Sequence, residues 1–319
     1  MAIAIGINAE VAIAEEVTYG SSTGIGAKQY FDAVSEGVVL ENPNIVSSRL
    51  RGGRLPTASA LVKGGRKRVT GNLELEVQTQ SIGWFLKHLL GSVSTTGSVV
   101  PYTHTFTLGN LPIGLHTFVK RDTTVFTYKG CRINTTEFSV SDQMLRATVG
   151  ILGQDATTGD AFAGTPYPVD NDFFAFHEGK LYLDNDGTPT VATAAEVDVR
   201  EVSVSFDNQL IEMPKLGSRL NRQPIQGRSV ITGRIRKEFE EPDSYTRFLN
   251  GEPASLKLAF TGVSSRSLTF NFERIFYTGA TPTVGSPEPI GQELPFEVRD
   301  DGTANGGITV VLVNDTAAY

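Results

Sequence analysis

Residues Asn72–Gln78 read NLELEVQ. Leu73, Leu75 and Val77 alternate with Asn72, Glu74, Glu76 and Gln78, the period of a strand with one buried and one wet face. The same alternation, or the same β-branched and aromatic bias, recurs in HTFTL, TVFTYKG, INTTEFSVS, MLRATVGIL, EVSVSFDN, ASLKLAFTG, SLTFNFERI and ITVVLVN. Turn signals such as Gly109-Asn110, Asp301-Gly302 and Asn305-Gly306-Gly307 separate these runs. Two stretches carry helical spacing instead. In SIGWFLKHLLG, Ile82, Phe85, Leu86, Leu89 and Leu90 share a face, with Thr79 or Ser81 as cap, Gly91 as stop and His88 expected on the exposed side. In PDSYTRFLNG, Tyr245, Phe248 and Leu249 share a face between Pro242 and Gly251. Many strands with two short helices predict an all-β fold with short accessory helices.

A length of 319 residues allows one large domain or two of ordinary size. The hydrophobic content of 39% and charged content of 20% supply a core and a wet surface. Cys131 is the only cysteine, so neither an intrachain disulfide nor a cysteine-based metal site is expected. MAIAIGINAEVAIAEEV lacks a basic region and carries Glu10, Glu15 and Glu16, unlike a secretory signal. No apolar run approaches the roughly 18 residues of a membrane span. A net charge of -7 argues against a general nucleic-acid coating protein, which is usually basic.

Gly153–Asp172, rich in Gly, Pro, Thr and Asp, is the best linker and divides the chain nearly in half. The halves follow one plan. SRLRGGRLP (Ser48–Pro56) is echoed by SRLNRQP (Ser218–Pro224), and VTGNLELEV (Val69–Val77) by ITGRIRKEF (Ile231–Phe239). Each is followed by its helix, then by YKG (Tyr128–Gly130) or YTG (Tyr277–Gly279). From there Gln143, Leu145 and Val149 match Gln292, Leu294 and Val298 without gaps. The order predicts two tandem all-β units, residues 1–160 and 161–319.

Catalytic and metal motifs are weak. His88, His104, His116 and His177 lie near no nucleophile elbow, and HxH, HExxH and CxxC patterns do not occur. Asp184–Gly187 (DNDG) begins like a calcium loop, but no later carboxylate completes it, so it reads as a turn. Gly24–Lys28 and Gly64–Thr70 lack phosphate-loop spacing. Glu238, Glu240, Glu241 and Asp243 open the second helix, where carboxylates are favourable. No cofactor is expected.

Arg49–Arg68 (RLRGGRLPTASALVKGGRKR) is a different kind of signal: basic, acid-free, and interleaved with apolar residues but no aromatic for base stacking. Its basic positions are Arg49, Arg51, Arg54, Lys63, Arg66, Lys67 and Arg68, with Leu55 and Leu61 among the apolar ones. A second such segment, Lys215–Arg228 (KLGSRLNRQPIQGR), carries Lys215, Arg219, Arg222 and Arg228 at the corresponding place. Basic and apolar residues together suit a protein contact, and the recurrence favours a repeated contact over a unique active site.

The ordered combination VVLENPNIVSSRLRGGR, TGNLELEVQTQSIGWFLKHLLGS, PYTHTFTLGNLP, YKGCRINTTEFSVSDQMLRATVGILGQD and SRLNRQP…FLNGEPASLKLAFTG…IGQELPFEVRDDG resembles the tail tube (major tail) proteins of long-tailed, non-contractile bacteriophages. The resemblance implies two tandem β-sandwich domains of the tail-tube type, each of packed antiparallel sheets flanked by a helix, with inner strands joining around a ring into a β-barrel. It implies stacked rings forming a virion tube through which DNA passes without specific binding. It also implies assembly in the host cytoplasm, no membrane, and tape-measure, tail terminator and distal tail proteins as partners. The two basic segments become inter-ring loops. Asn72, Glu74, Glu76 and Gln78 become lumen-facing candidates, because a bore lined by acidic or neutral side chains avoids the phosphate attraction that Lys and Arg would produce. One-domain relatives form hexamers, so a two-domain chain is expected as a trimer per ring, with a hexamer as the alternative. Another β-sandwich virion or adhesion protein, binding a protein or glycan, is the competing reading. An enzyme is a distant third.

Overall fold

The alternating segments form antiparallel strands. The computed structural model describes residues 5–49, 59–141, 143–162, 167–186, 188–284, 289–303 and 305–319. The first half contains β1 (Ala9–Glu15), β2 (Gln29–Phe31), β3 (Ser35–Glu36), β4 (Val39–Glu41), β5 (Asn44–Val46), β6 (Val62–Gly64), β7 (Arg68–Glu76), α1 (Ile82–Leu90), β8 (Gly91–Thr96), β9 (Tyr102–Leu108), β10 (Leu115–Arg121), β11 (Thr124–Val140), β12 (Arg146–Gly153) and β13 (Asp155–Thr158). The second contains β14 (Gly179–Asp184), β15 (Ala195–Val197), β16 (Glu201–Asp207), β17 (Ile211–Met213), β18 (Arg222–Ile225), β19 (Val230–Glu238), α2 (Asp243–Asn250), β20 (Ala254–Thr261), β21 (Ser267–Tyr277), β22 (Gly291–Val298) and β23 (Ile308–Asn314).

Three sheets share these strands, apart from the two-stranded pairs β5–β6 and β17–β18. The first runs β2–β1–β10–β11–β13. The second takes β3 and β4 at one edge, then β7–β12–β11–β16–β19–β22–β21. The third runs β15–β14–β20–β21–β23–β9–β8. β11 is 17 residues long and serves two sheets, pairing first with β10 and β13, then with β12 and β16. β21 is shared in the same way. One apolar core spans both halves, from Val11, Leu73 and Val149 to Leu256, Phe270 and Leu294. Where β11 meets β16, Phe138 lies 6.0 Å from Phe206 and 5.0 Å from Phe270 between ring centroids. Such aromatic contacts add about 0.5–1.5 kcal/mol each beyond area burial.

The pairings recur between halves. β1, β2, β7, β10, β11, β12 and β13 have the partners that β14, β15, β19, β20, β21, β22 and β23 have. β10 and β20 even share a bulge, which places Leu115 against Cys131 and Ala254 against Ile275. The β8–β9 hairpin has no counterpart among the described residues, and β9 pairs across with β23.

The strand registers correct the equivalence read from the sequence. Val149 pairs with Leu73, and Leu294 pairs with Ile235, the counterpart of Leu73. Val149 therefore corresponds to Leu294 and not Val298. An alternating strand matches itself at any even shift, so side-chain pattern alone cannot distinguish these registers. The shared bulge likewise aligns Tyr128 with Phe272, not Tyr277.

Three further expectations change. The proposed linker Gly153–Asp172 includes β13, whose polar DATT sequence pairs with β11. His88 is buried, because α1 lies close to β1 and its ring meets Glu15 at 2.9 Å instead of water. Leu249 is 63% exposed, while Arg247 turns inward. Its guanidinium donates to the carbonyls of Asn185, Asp186 and Pro253, and those acceptors draw it in. The DNDG reading as a turn agrees with the hydrogen bonds: Asp184 accepts from the Asp186 and Thr190 amides and the Thr193 hydroxyl. α1 ends as expected at Gly91, with φ 96°. Neither Thr79 nor Ser81 caps it through a side chain, since the Ser81 hydroxyl donates to Gln78 Oε1 instead.

Candidate assembly and lumen surfaces

Two hairpin arms carry much of the basic sequence. β5 pairs with β6 and β17 with β18, each arm lying just before the corresponding strand β7 or β19. Apolar side chains stand out from both, including Ile45, Val46, Ile211, Ile225 and a fully exposed Leu216. Exposed apolar groups on short two-stranded arms are unusual unless a partner covers them.

The arms also hold each other. The Lys67 amide donates to the Arg219 carbonyl at 2.9 Å, and Arg219 Nε donates to the Gly65 carbonyl at 2.7 Å. Arg219 also donates to Asn42 Oδ1 at 2.5 Å. Lys67 pairs with Asp155 at 2.6 Å and Arg68 with Glu212 at 3.0 Å. Lys67, Arg68 and Arg219 therefore have partners within the chain. Arg49, Lys63, Arg66, Lys215, Arg222 and Arg228 are exposed, and Leu61 is half-buried. Arg51, Arg54 and Leu55 lie outside the described residues.

The second sheet has a continuous wet face. Its registers put Asn72, Glu74 and Glu76 of β7 in line with Thr148 and Arg146 of β12, Glu137 and Ser139 of β11, and Ser203 and Ser205 of β16. The line continues through Thr232, Arg234 and Arg236 of β19 to Glu293 and Glu297 of β22. Asn72 and Glu74 are exposed and Glu76 half-buried, as the alternation requires. Gln78 lies past the end of β7 and is tied to Asp32, Ser81 and Asn171. On this face Arg234 lies 3.0 Å from Glu201 and 3.4 Å from Glu293, while Arg146 and Arg236 make no ion pair among the described residues. Hydroxyls and carboxylates outnumber the arginines on this face, which leaves little net attraction for a phosphate backbone.

The sheet has two edges. At one, among the described residues, β3 and β4 pair only with β7. At the other, β21 gives way to Gly279–Val284, which touches β22 through the Thr283–Gly291 bridge.

A profile of the family described as phage tail tube protein matches residues 6–298. The chain belongs to the phage tail tube protein family. It is thus a structural component of a phage virion. No curated protein matches the sequence. Among the described residues, no helix is long and apolar enough to cross a membrane.

Inside this tail tube protein, the polar groups that suggested chemistry serve the fold. His104 contacts Thr95 at 2.8 Å, Asn314 at 3.1 Å and the Thr316 carbonyl at 2.9 Å. His116 Nε2 lies 3.1 Å from Glu16 Oε1, without hydrogen-bond geometry, and both side chains are fully buried. Glu16 accepts from the Gly130 and Gly20 amides at 2.7 Å. Burial pushes the Cys131 thiol up to about 12, which keeps it protonated and unreactive. Hydrogen bonding from His88, with Lys87 beside it, holds Glu15 at about 2 despite its partial burial.

Two residues missed at the sequence level tie the halves together. Arg132, almost fully buried, donates to the carbonyls of Leu111, Pro112, Ile113 and, across the seam, Pro224. Asn208 donates to the Leu89 and Ile133 carbonyls at 2.9 and 3.3 Å. Arg132 had a legible signal, since it stands between the apolar residues Cys131 and Ile133 in a strand and all three are buried.

Proposed function

We propose that the chain is the repeating subunit of a phage tail tube. Copies join through the edges of the second sheet into rings, and its wet face lines the bore. Rings stack through the two hairpin arms, whose free cations and exposed Ile45, Leu216 and Ile225 reach the next ring. DNA slides past carboxylates and hydroxyls without specific binding, and no cofactor takes part.

The single observation that carries the reading is a wet, hydroxyl- and carboxylate-rich face continuous from β7 to β22 in a family whose members are tail tube proteins. The repeated strand pairings support two tandem units, residues 1–160 and 161–319. A chain with two such units closes a ring as a trimer that mimics a hexamer, and six chains per ring is the other outcome. Tube ends require tape-measure, terminator and distal tail proteins, with assembly in the host cytoplasm and a final place in the virion.

Negative-stain electron microscopy of the concentrated protein tests this. Hollow tubes or rings are expected. A chain that stays monomeric at high concentration would contradict it.

A further inference from the structure

The chain contains a seam between its own halves. β11 and β16 pair as Thr135–Val140 with Val202–Asp207, antiparallel, with Glu137 opposite Ser205 and Phe138 opposite Val204. Among the described residues, each partner has a counterpart elsewhere in the chain that pairs with no strand on that side. The counterpart of Thr135–Val140 follows from the shared bulge, which equates Cys131 with Ile275, and leads to Gly279–Val284. The Thr283–Gly291 bridge repeats the Ser139–Arg146 pair and supports this register. The counterpart of Val202–Asp207 follows from β7 and β19: Ser35 faces Glu74 as Glu201 faces Arg236, and Val39 faces Thr70 as Ser205 faces Thr232. That leads to Glu36–Glu41.

We propose that a second copy of this chain docks there, Gly279–Val284 of one copy pairing antiparallel with Glu36–Glu41 of the next in the register of the internal seam. The inference rests on the tube reading and specifies the ring contact within it. Thr281 then lies opposite Val39, and Gly279 opposite Glu41.

Three observations favour this occupant. Val284 is 75% exposed, whereas Val140, its counterpart inside the seam, is 5% exposed. Val39 is also exposed on the other edge. Pro282 has no N–H to donate, and it falls opposite Val38, whose carbonyl already accepts from Tyr128 at 2.6 Å and Arg121 at 3.0 Å. The mismatch that proline brings to a ladder is thus placed where an acceptor is already satisfied. Gly279–Val284 carries no charged side chain, and an uncharged open edge is an aggregation liability unless a partner covers it.

Cysteine pairing reads the register directly. Opposed residues on antiparallel strands have Cα atoms about 4.5–5.5 Å apart, within disulfide range, and a slip of two residues moves the partner by about 6.6 Å, out of range. Cys131 is buried and gives no background. Tubes of Val39→Cys/Thr281→Cys, or of Glu41→Cys/Gly279→Cys, should cross-link between chains on mild oxidation. Val39→Cys/Thr283→Cys, displaced by two residues, should not. Tubes that form but cross-link only in the displaced pair, or in none, overturn the register and leave the tube reading intact. An unmodified chain that forms no rings overturns both. Hydrogen exchange on the unmodified protein needs no variant: the Leu40 amide, which faces away from β7, should lose its fast exchange on assembly. Unchanged exchange there in intact tubes overturns the proposal.

Discussion

Gly71 is a position where one methyl group tests the fold. Its φ is +147°, and an added Cβ would lie 2.2 Å from the Gly37 carbonyl oxygen and 2.5 Å from Val38 Cα. Both are backbone atoms of the strand edge beside β7, so no rotamer relieves the contact. Strain at such a φ costs a non-glycine residue about 1–3 kcal/mol. Overpacking adds about 1–3 kcal/mol. Alanine also removes freedom from the unfolded chain, which offsets about 0.4–1 kcal/mol. Gly71→Ala should therefore destabilise by about 2–5 kcal/mol. Gly233 occupies the same place in the second half; an added Cβ there meets the Ser203 carbonyl oxygen at 2.6 Å and Phe296 Cζ at 2.3 Å. Its φ is ordinary, so Gly233→Ala should cost only the packing component, about 1–3 kcal/mol. Gly291→Ala, with nothing within 4 Å, is the control and should stay within about 0.5 kcal/mol. Urea unfolding followed by the fluorescence of Trp84, the only tryptophan, gives all three values. If Gly71→Ala and Gly291→Ala unfold at the same urea concentration, the close approach of β7 to its neighbouring edge is wrong.

Three other outcomes are expected. Arg132→Met strips the donors from four carbonyls and should cost about 2–4 kcal/mol in urea unfolding, with Arg132→Lys intermediate. Glu15 is held at about 2 in the folded chain against 4.5 for its ordinary value, so its contribution is present above pH 4.5 and lost as pH falls toward 2. Burial also lowers His88, so the unfolded chain takes up that proton first and stability starts to fall below about pH 6.5. After allowance for the solvent exposure of Glu15, its share is on the order of 1–2 kcal/mol, and Glu15→Gln should flatten the acid limb of a stability–pH curve. Lys63→Glu with Arg222→Glu should weaken stacking and shorten tubes seen by electron microscopy while leaving single rings intact; unchanged tube length would remove the arms from the stacking contact.

Much of this architecture was legible because a strand writes its two faces into alternate residues. Leu73 and Leu75 are buried and Asn72 and Glu74 exposed, as the seven residues Asn72–Gln78 required. The basic segments, recurring before each Thr-Gly strand, marked the sites of both arms. Position across the third dimension was not legible. Nothing in FLKHLL says that Glu15 waits beside His88, and nothing in SRLNRQP says that Arg219 reaches Gly65. Strand equivalence was read four residues out at Val149, since a period of two looks the same at every even shift. The bulges at Leu115 and Ala254, visible only in the pairing, are what fix it.

The central claim is that the second sheet continues from chain to chain and lines the bore. Electron cryo-microscopy of assembled tubes tests it most directly. The account predicts threefold rings, with Glu74, Glu137 and Ser205 facing the lumen and Gly279–Val284 paired to Glu36–Glu41 of the neighbouring chain. Six chains per ring, or a bore lined by another surface, would contradict it.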